Sequence, residues 1–391
     1  MSDLQKAWAK KKMELSNADV FNELDEEEEE EEENGRIGEL PEILDDDSSS
    51  ASSASSTGTV VPTPSRKLFA RPLGPPRGGG RTLDQIPWTT YFERELFLEG
   101  QKDESGAAQI THHAYLTSPG DKGPLFSEIR KRLPSAGILS LDARGHGSTV
   151  TATDAPLDLS LETLRSDLLS VIRQTQAQMG WKELPPIVLV GHSLGGAVVT
   201  DLAKSHALGS SLLGYAVLDV VEGSAMDALQ SMTTYLSTRP TGFASIQAGI
   251  DWHIRSRTLR NSISARTSVP GLLTQDPTPG VSRPWKWRTD LAATEPFWSD
   301  WFVGLSKKFL EAKGGKLLIL AGTDRLDKEL TIGQMQGKYA LHIFPEAGHF
   351  VHEDVPENTA LVIADFYRRN DRSALVLPPK VGDLLAQGKR V

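Results

Sequence analysis

The pentapeptide Gly191-His192-Ser193-Leu194-Gly195 lies directly behind an apolar run, Ile187-Val-Leu-Val190, and directly ahead of Gly196-Ala-Val-Val199. A strand that bends sharply into a helix at G-x-S-x-G holds the serine hydroxyl out at the helix N-terminus. There the N–H of the following residue, Leu194, faces any oxyanion that forms. A glycine-rich strand-to-helix turn can also serve structure alone, but strand, pentapeptide and helix together argue for a nucleophile. A side chain at either glycine of the pentapeptide is expected to collide with the neighbouring strand or helix.

A serine hydroxyl is a weak nucleophile near neutral pH, so it needs an imidazole to take its proton and a carboxylate to hold that imidazole. His349, in the loop Pro345-Glu-Ala-Gly348-His349-Phe350 behind the last strand-like run, is the best base. Of the other histidines, His192 is expected to point away from the serine and His352 to cap the segment that follows. Two aspartates fit the third role. Asp219 follows Gly214-Tyr-Ala-Val-Leu218, and Asp324 follows Lys316-Leu-Leu-Ile-Leu320-Ala-Gly-Thr. Both lie between Ser193 and His349, as the Ser, acid, His chain order requires, and chain order alone favours Asp324 modestly. Asp327 reads as a helix-start residue. Such a set performs acyl transfer through a covalent acyl-enzyme and needs no metal or organic cofactor.

The elements that position these residues read as an α/β fold. Strand-like runs at 91–98, 109–116, 137–141, 187–190, 214–218, 316–320 and 339–344 alternate with helical patterns, as in a mostly parallel central sheet with helices on both faces. The first two runs suggest an antiparallel hairpin at one edge. Residues 224–299, rich in helix formers, Ser, Thr and Trp, are too long for a simple connection and read as a helical cap inserted over the sheet. Asp142-Ala-Arg144-Gly145-His146-Gly147 resembles a D-x-R-G-x-G loop, in which Arg144 is expected to bond nearby carboxylates and carbonyls rather than to do chemistry.

The chain has 391 residues, 38% hydrophobic, enough to bury one large core. Its first part cannot contribute. The acidic run from Asp25 to Glu33, the Asp45-Asp46-Asp47 block, a Ser-rich stretch and Pro/Gly-rich chain predict a disordered tail over 1–87, a folded domain over 88–370 and a second tail over 371–391. Arg66-Lys67-Leu68-Phe69 is a basic-apolar cluster in that first tail, of the kind that forms short linear motifs. A net charge of -10 argues against nucleic acid as a partner. There is no cysteine, no apolar run of signal-peptide length at the start and none long enough for a membrane span. A cytoplasmic or nuclear protein that does not bind membranes is the expectation.

Three stretches carry a family resemblance: Gly191-His-Ser-Leu-Gly-Gly196, Leu218-Asp219-Val-Val-Glu222-Gly223-Ser-Ala-Met226-Asp227-Ala-Leu229, and Leu320-Ala-Gly-Thr-Asp324-Arg325-Leu-Asp327. With the cap run from Trp252 to Arg266 and Gly348-His349-Phe350, they make residues 88–369 similar to the protein phosphatase methylesterase 1 family of the α/β-hydrolase superfamily. The resemblance implies a serine carboxylesterase that hydrolyses the methyl ester on the C-terminal leucine of the protein phosphatase 2A catalytic subunit. It implies the Asp-Val-Val-Glu-Gly aspartate, Asp219, as the catalytic acid over Asp324, and Glu222 and Asp227 as supports for the cap or the substrate tail.

One piece of that family's pattern is missing. Before the first crossover helix the family carries a buried strand and a His-Gly or His-His-Gly-Ala-Gly loop that donates a second N–H to the oxyanion. Here only Pro124-Leu125-Phe126 precede the helical run from Ser127 to Leu133, too few for a central strand and a loop. Thr111-His112-His113 imitates the motif, but Ala114-Tyr115 stand where the glycine belongs. The expectation is that roughly fifteen or more residues are absent. Two alternatives follow: a catalytically impaired homologue that binds the phosphatase, and a general esterase for small substrates.

Overall fold

The computed structural model describes residues 82–100, 109–118, 127–152, 157–322 and 326–371. Arg66 to Phe69, Pro124 to Phe126, Asp324 and most of both expected tails lie outside the described residues.

Each of the seven expected strands occurs, with ends shifted by a few residues. β1 (Arg94–Glu99) and β2 (Ile110–Thr117) form the antiparallel hairpin. α1 (Glu128–Arg132) starts where the Ser127 hydroxyl accepts the Arg130 N–H, and leads into β3 (Ile138–Leu141), antiparallel to β2. A two-residue strand not foreseen from the sequence, β4 (Val150–Thr151), also pairs with β2. α2 (Leu161–Gln178) is capped in the same way by Ser160, a device worth about 1 kcal/mol. Then come β5 (Ile187–His192), α3 (Leu194–Ser205) and β6 (Leu212–Leu218).

The insertion begins directly after β6. It comprises α4 (Glu222–Thr238), α5 (Ile246–Arg255), α6 (Ser262–Leu272), β7 (Leu273–Gln275), β8 (Trp285–Trp287) and α7 (Trp298–Trp301). The sequence predicts a helical cap, but part of it is strand: β7 and β8 form an antiparallel hairpin. Phe243, Ile250, Leu259, Val269 and Leu273 give it a core of its own, joined by Leu83 and Phe350. The expected start of order at Trp88 is corrected by this contact. The Ile86 N–H donates to Arg266 O (3.0 Å) and Arg266 Nε to Asp84 O (2.7 Å), so Thr82 to Pro87 lie on the cap. The chain then returns through α8 (Leu305–Glu311), β9 (Gly315–Leu320), α9 (Lys328–Met335), β10 (Ala340–Ile343), α10 (Val351–Asp354) and α11 (Pro356–Asn370).

β5, β6, β9 and β10 pair in parallel in the order β10-β9-β6-β5. Their period-2 alternation buries both faces. Tyr215, Val217, Leu318 and Leu320 face one cluster with α3 and α8, while Ala216, Leu218, Leu317 and Ile319 face another with Val362 and Phe366 of α11. The second sheet runs β1-β2-β3. Among the described residues no strand pairs with the outer edge of β3 or of β5, the position left by the expected missing strand. Val190 of β5 is 43% exposed there. α2 spans the gap, with Val171 in the β1–β2 core and Leu164 and Ile172 in the core of the parallel sheet.

Candidate functional site

The strand β5 ends in a strained turn. Ser193 has φ 50 and ψ -121, and its N–H donates to Leu218 O at 3.0 Å. That conformation costs about 1–3 kcal/mol and persists only where the surroundings hold it. A Cβ on Gly191 would lie 2.0 Å from Gly195 O, and one on Gly196 would lie 2.8 Å from Val220 Cγ1. At Gly195 it would meet nothing within 4 Å. The steric demand expected at both glycines of the pentapeptide therefore falls on Gly191 and Gly196. Leu194 is the first residue of α3, so its N–H is among those with no partner inside the helix.

Asp219 follows β6 with φ 50, and its N–H is held by Ile319 O at 2.7 Å. Its Oδ1 accepts the Ala321 N–H (2.8 Å) and its Oδ2 lies 2.8 Å from His349 Nδ1. The carboxylate is fully buried and the imidazole 39% exposed, so one nitrogen is fixed from beneath while the ring edge reaches solvent. Asp324, the other sequence candidate, lies outside the described residues. No hydrogen bond joins the Ser193 hydroxyl to His349 in this state. Sites without substrate commonly hold that pair looser than the Michaelis complex does.

His192 does not simply point away. Its Nε2 donates to His349 O (2.8 Å) and its ring lies 4.6 Å from that of His349 and 4.7 Å from that of His352. Burial, followed by the neighbouring His349 and His352, holds His192 well below the usual imidazole range, so it is a neutral donor. His352 caps nothing: the cap residue of α11 is Val355, and His352 packs on His192 with its pKa pushed down to about 4, chiefly by burial and then by His349. The adjacency of His192 to Ser193 was the only sequence signal for its contact with His349.

The structure places the remaining sequence candidates outside the Ser193, Asp219 and His349 cluster. The Glu222 carboxylate accepts the N–H groups of Gly304 (2.9 Å) and Ser306 (3.2 Å) at the start of α8. Asp227 is exposed on α4, and Asp327 caps α9 and accepts from Ser306 Oγ. Arg144 makes a two-pronged bond to Asp167, 2.8 Å on each arm. His113, buried in β2, lies 2.7 Å from Asp142 and 3.1 Å from Glu95 through its two nitrogens. Among the described residues no group of three or more His, Cys, Asp or Glu side chains is arranged to hold a metal ion.

Comparison with known proteins adds to this geometry. A model of the alpha/beta hydrolase family matches residues 111–361. A protein phosphatase methylesterase 1 from Gibberella zeae is 65% identical over all of both chains, and one from Neurospora crassa is 61% identical, again over all of both. The solved structure of E-2-(acetamidomethylene)succinate hydrolase, 18% identical, covers 70% of this chain and 100% of its own with a TM-score of 0.51, a likeness of fold alone. The Gibberella alignment runs over 411 positions against 391 residues here, so at least 20 of its positions face no residue of this chain.

Proposed function

The chain belongs to the protein phosphatase methylesterase 1 family of α/β-hydrolases, and from that premise we propose that it removes the methyl ester from the C-terminal leucine of the protein phosphatase 2A catalytic subunit. Ser193 Oγ attacks the ester carbonyl while His349 Nε2 takes its proton. Asp219 stays ionised and stabilises the imidazolium. The Leu194 N–H donates to the oxyanion. The tetrahedral intermediate collapses, His349 returns the proton to the departing methoxide, and methanol leaves. Water, deprotonated by the same imidazole, then cleaves the acyl-enzyme to release the free carboxylate and Ser193.

The observation that carries this reading is the 2.8 Å contact between buried Asp219 and His349 beside the strained elbow. The test is demethylation of the methylated phosphatase by this chain and by Ser193→Ala, with a small aryl ester run in parallel. Turnover of the aryl ester with none of the protein ester would reject the phosphatase substrate in favour of a general esterase.

A second reading is favoured by one observation: among the described residues no strand pairs with the outer edge of β3 or of β5. If the strand and loop between them are absent, the second oxyanion donor goes with them, and the chain would hold the phosphatase while turning it over slowly. A fluorophosphonate that leaves Ser193 unlabelled while the phosphatase is still pulled down would select this reading.

A further inference from the structure

The turn that carries His349 is held from two sides. From the sheet, His192 Nε2 donates to His349 O (2.8 Å). From the cap, the hold runs through α10, the four-residue helix directly behind His349. Asp354 Oδ2 accepts the Gly348 N–H at 2.7 Å, and Oδ1 accepts the Arg260 N–H, also at 2.7 Å. Arg260 lies two residues before α6, and its Nη1 donates to Glu346 O (2.7 Å) on the same turn. One carboxylate thus bridges a backbone amide of the cap and the amide immediately before His349. Its side chain is only 1% exposed. A Cβ on Gly348 would sit 3.2 Å from Asp354 Oδ2 and 3.4 Å from Arg260 Nε, so the glycine leaves room for the clamp to close.

We propose that Asp354 is a positioning residue that ties the cap to the turn bearing His349, so that the base is placed only when the cap is placed. The inference rests on His349 being the base. Adjacent contacts tighten the same joint. Ser264 Oγ of α6 donates to Glu353 O (2.7 Å), Ser268 Oγ lies 2.6 Å from Glu353 Oε2, and Phe350 packs into the core of the cap. A protein substrate that displaces the cap would thereby move the imidazole. Misplacing a catalytic group by about 1 Å can lower a rate about a hundredfold.

The test uses the full chain and two readouts. The first is labelling of Ser193 by a fluorophosphonate, separated into a maximal rate and a half-saturating concentration and followed against pH. In Asp354→Asn one of the two amides faces an NH2 group instead of an acceptor. The expected result is a maximal rate lower by about tenfold to a hundredfold with the half-saturating concentration unchanged. The second readout needs no turnover: the downfield proton resonance of the His349 Nδ1–H bonded to Asp219. It is expected to move or broaden in Asp354→Asn and to vanish in Asp219→Asn. Should Asp354→Asn not fold, Arg260→Ala removes the exposed guanidinium with its bond to Glu346 O and its 4.0 Å ion pair with Asp354 Oδ2, keeps the backbone amide on Asp354, and is expected to shift both readouts in the same direction by less. A folded Asp354→Asn with an unchanged resonance and labelling rate overturns the proposal, as does a rate that falls only in proportion to the folded fraction, or an unaffected Arg260→Ala where Asp354→Asn does not fold. Labelling of Ser193→Ala as fast as the unmodified chain would instead sink the assignment of the nucleophile, whatever Asp354 does.

Discussion

The parallel strands and the antiparallel strands of this protein use their polar residues in opposite ways. In the β5-β6-β9-β10 sheet the residues proposed to do chemistry sit at strand ends: Ser193 after β5, Asp219 after β6 and His349 behind β10, with both faces of the sheet sealed by apolar clusters. In the β1-β2-β3 sheet and the loop and helix behind it the polar side chains turn on one another, His113 on Asp142 and Glu95, and Arg144 on Asp167 of α2. One half therefore carries the proposed reacting groups and the other a lattice of ionic and hydrogen-bonded contacts. Between them lie the outer edges of β3 and β5, with which no strand among the described residues pairs.

The largest effects should fall on the parallel half. Ser193→Ala is expected to abolish esterase turnover. Asp219→Asn should lower kcat about ten-thousandfold, because the imidazole loses the partner that sets its tautomer. Asp324→Asn should leave kcat within a few fold. Steady-state kinetics on a methylated C-terminal peptide checks all three, and the acid assignment fails if Asp324→Asn abolishes turnover while Asp219→Asn keeps its full rate.

The next effect tests the boundary between the halves. A segment inserted between Phe126 and Ser127, long enough for a central strand and a glycine-containing loop, should pair with β3 and β5 and restore a second oxyanion donor. The expected gain in kcat is about a hundred- to a thousandfold. Sequencing the transcript across the same junction shows whether nature supplies the segment. A correctly folded insertion protein with no gain in kcat would mean that the elbow and Leu194 already supply the whole of the oxyanion stabilisation.

Much of the parallel half was legible in the sequence because its signals are local. The elbow is a strand, a pentapeptide and a helix in one unbroken run, and β6 and β9 are apolar runs each followed by one of the two candidate aspartates. The choice between Asp219 and Asp324 was not legible from spacing, since both follow a strand, and the family resemblance tipped it. What sequence reasoning missed depends on contacts across long separations. His192 reaches His349 O over 157 residues, and Asp354 reaches Arg260 over 94. No periodicity reports such pairs. The β7–β8 hairpin was missed because three-residue strands such as Leu273–Gln275 are too short for an alternation to be visible.

In the antiparallel half, Arg144→Ala should act on stability rather than chemistry. Removing one partner of a largely buried ion pair leaves Asp167 with only His112, 3.5 Å away, and losses of about 3–5 kcal/mol are typical of such breaks. Urea unfolding should show that loss while the folded fraction labels Ser193 at the unmodified rate. A fall in the labelling rate of the folded fraction would erase the division of labour between the two halves.

The smallest effect concerns the joint between cap and base. Burial beneath α6 pushes the Glu353 carboxyl up to about 7, with Ser268 opposing the shift and Asp354 adding to it. Ser268 Oγ also lies 3.1 Å from Ser264 O, to which its single proton can go, so a protonated Glu353 can donate to Ser268 across their 2.6 Å contact. Between about pH 4.5 and 7 the unfolded carboxyl releases its proton while the folded one keeps it, so stability falls as pH rises through that window and levels off above it. The total is at most about 3 kcal/mol. Glu353→Gln keeps a donor towards Ser268 and removes the titration. The stability of the unmodified chain relative to this variant should therefore decline from pH 5 to pH 7 and stay flat at pH 8, as read by urea unfolding at each pH. A difference constant across the series would mean that the carboxyl is already ionised in the folded state and that the clamp is held by Asp354 alone.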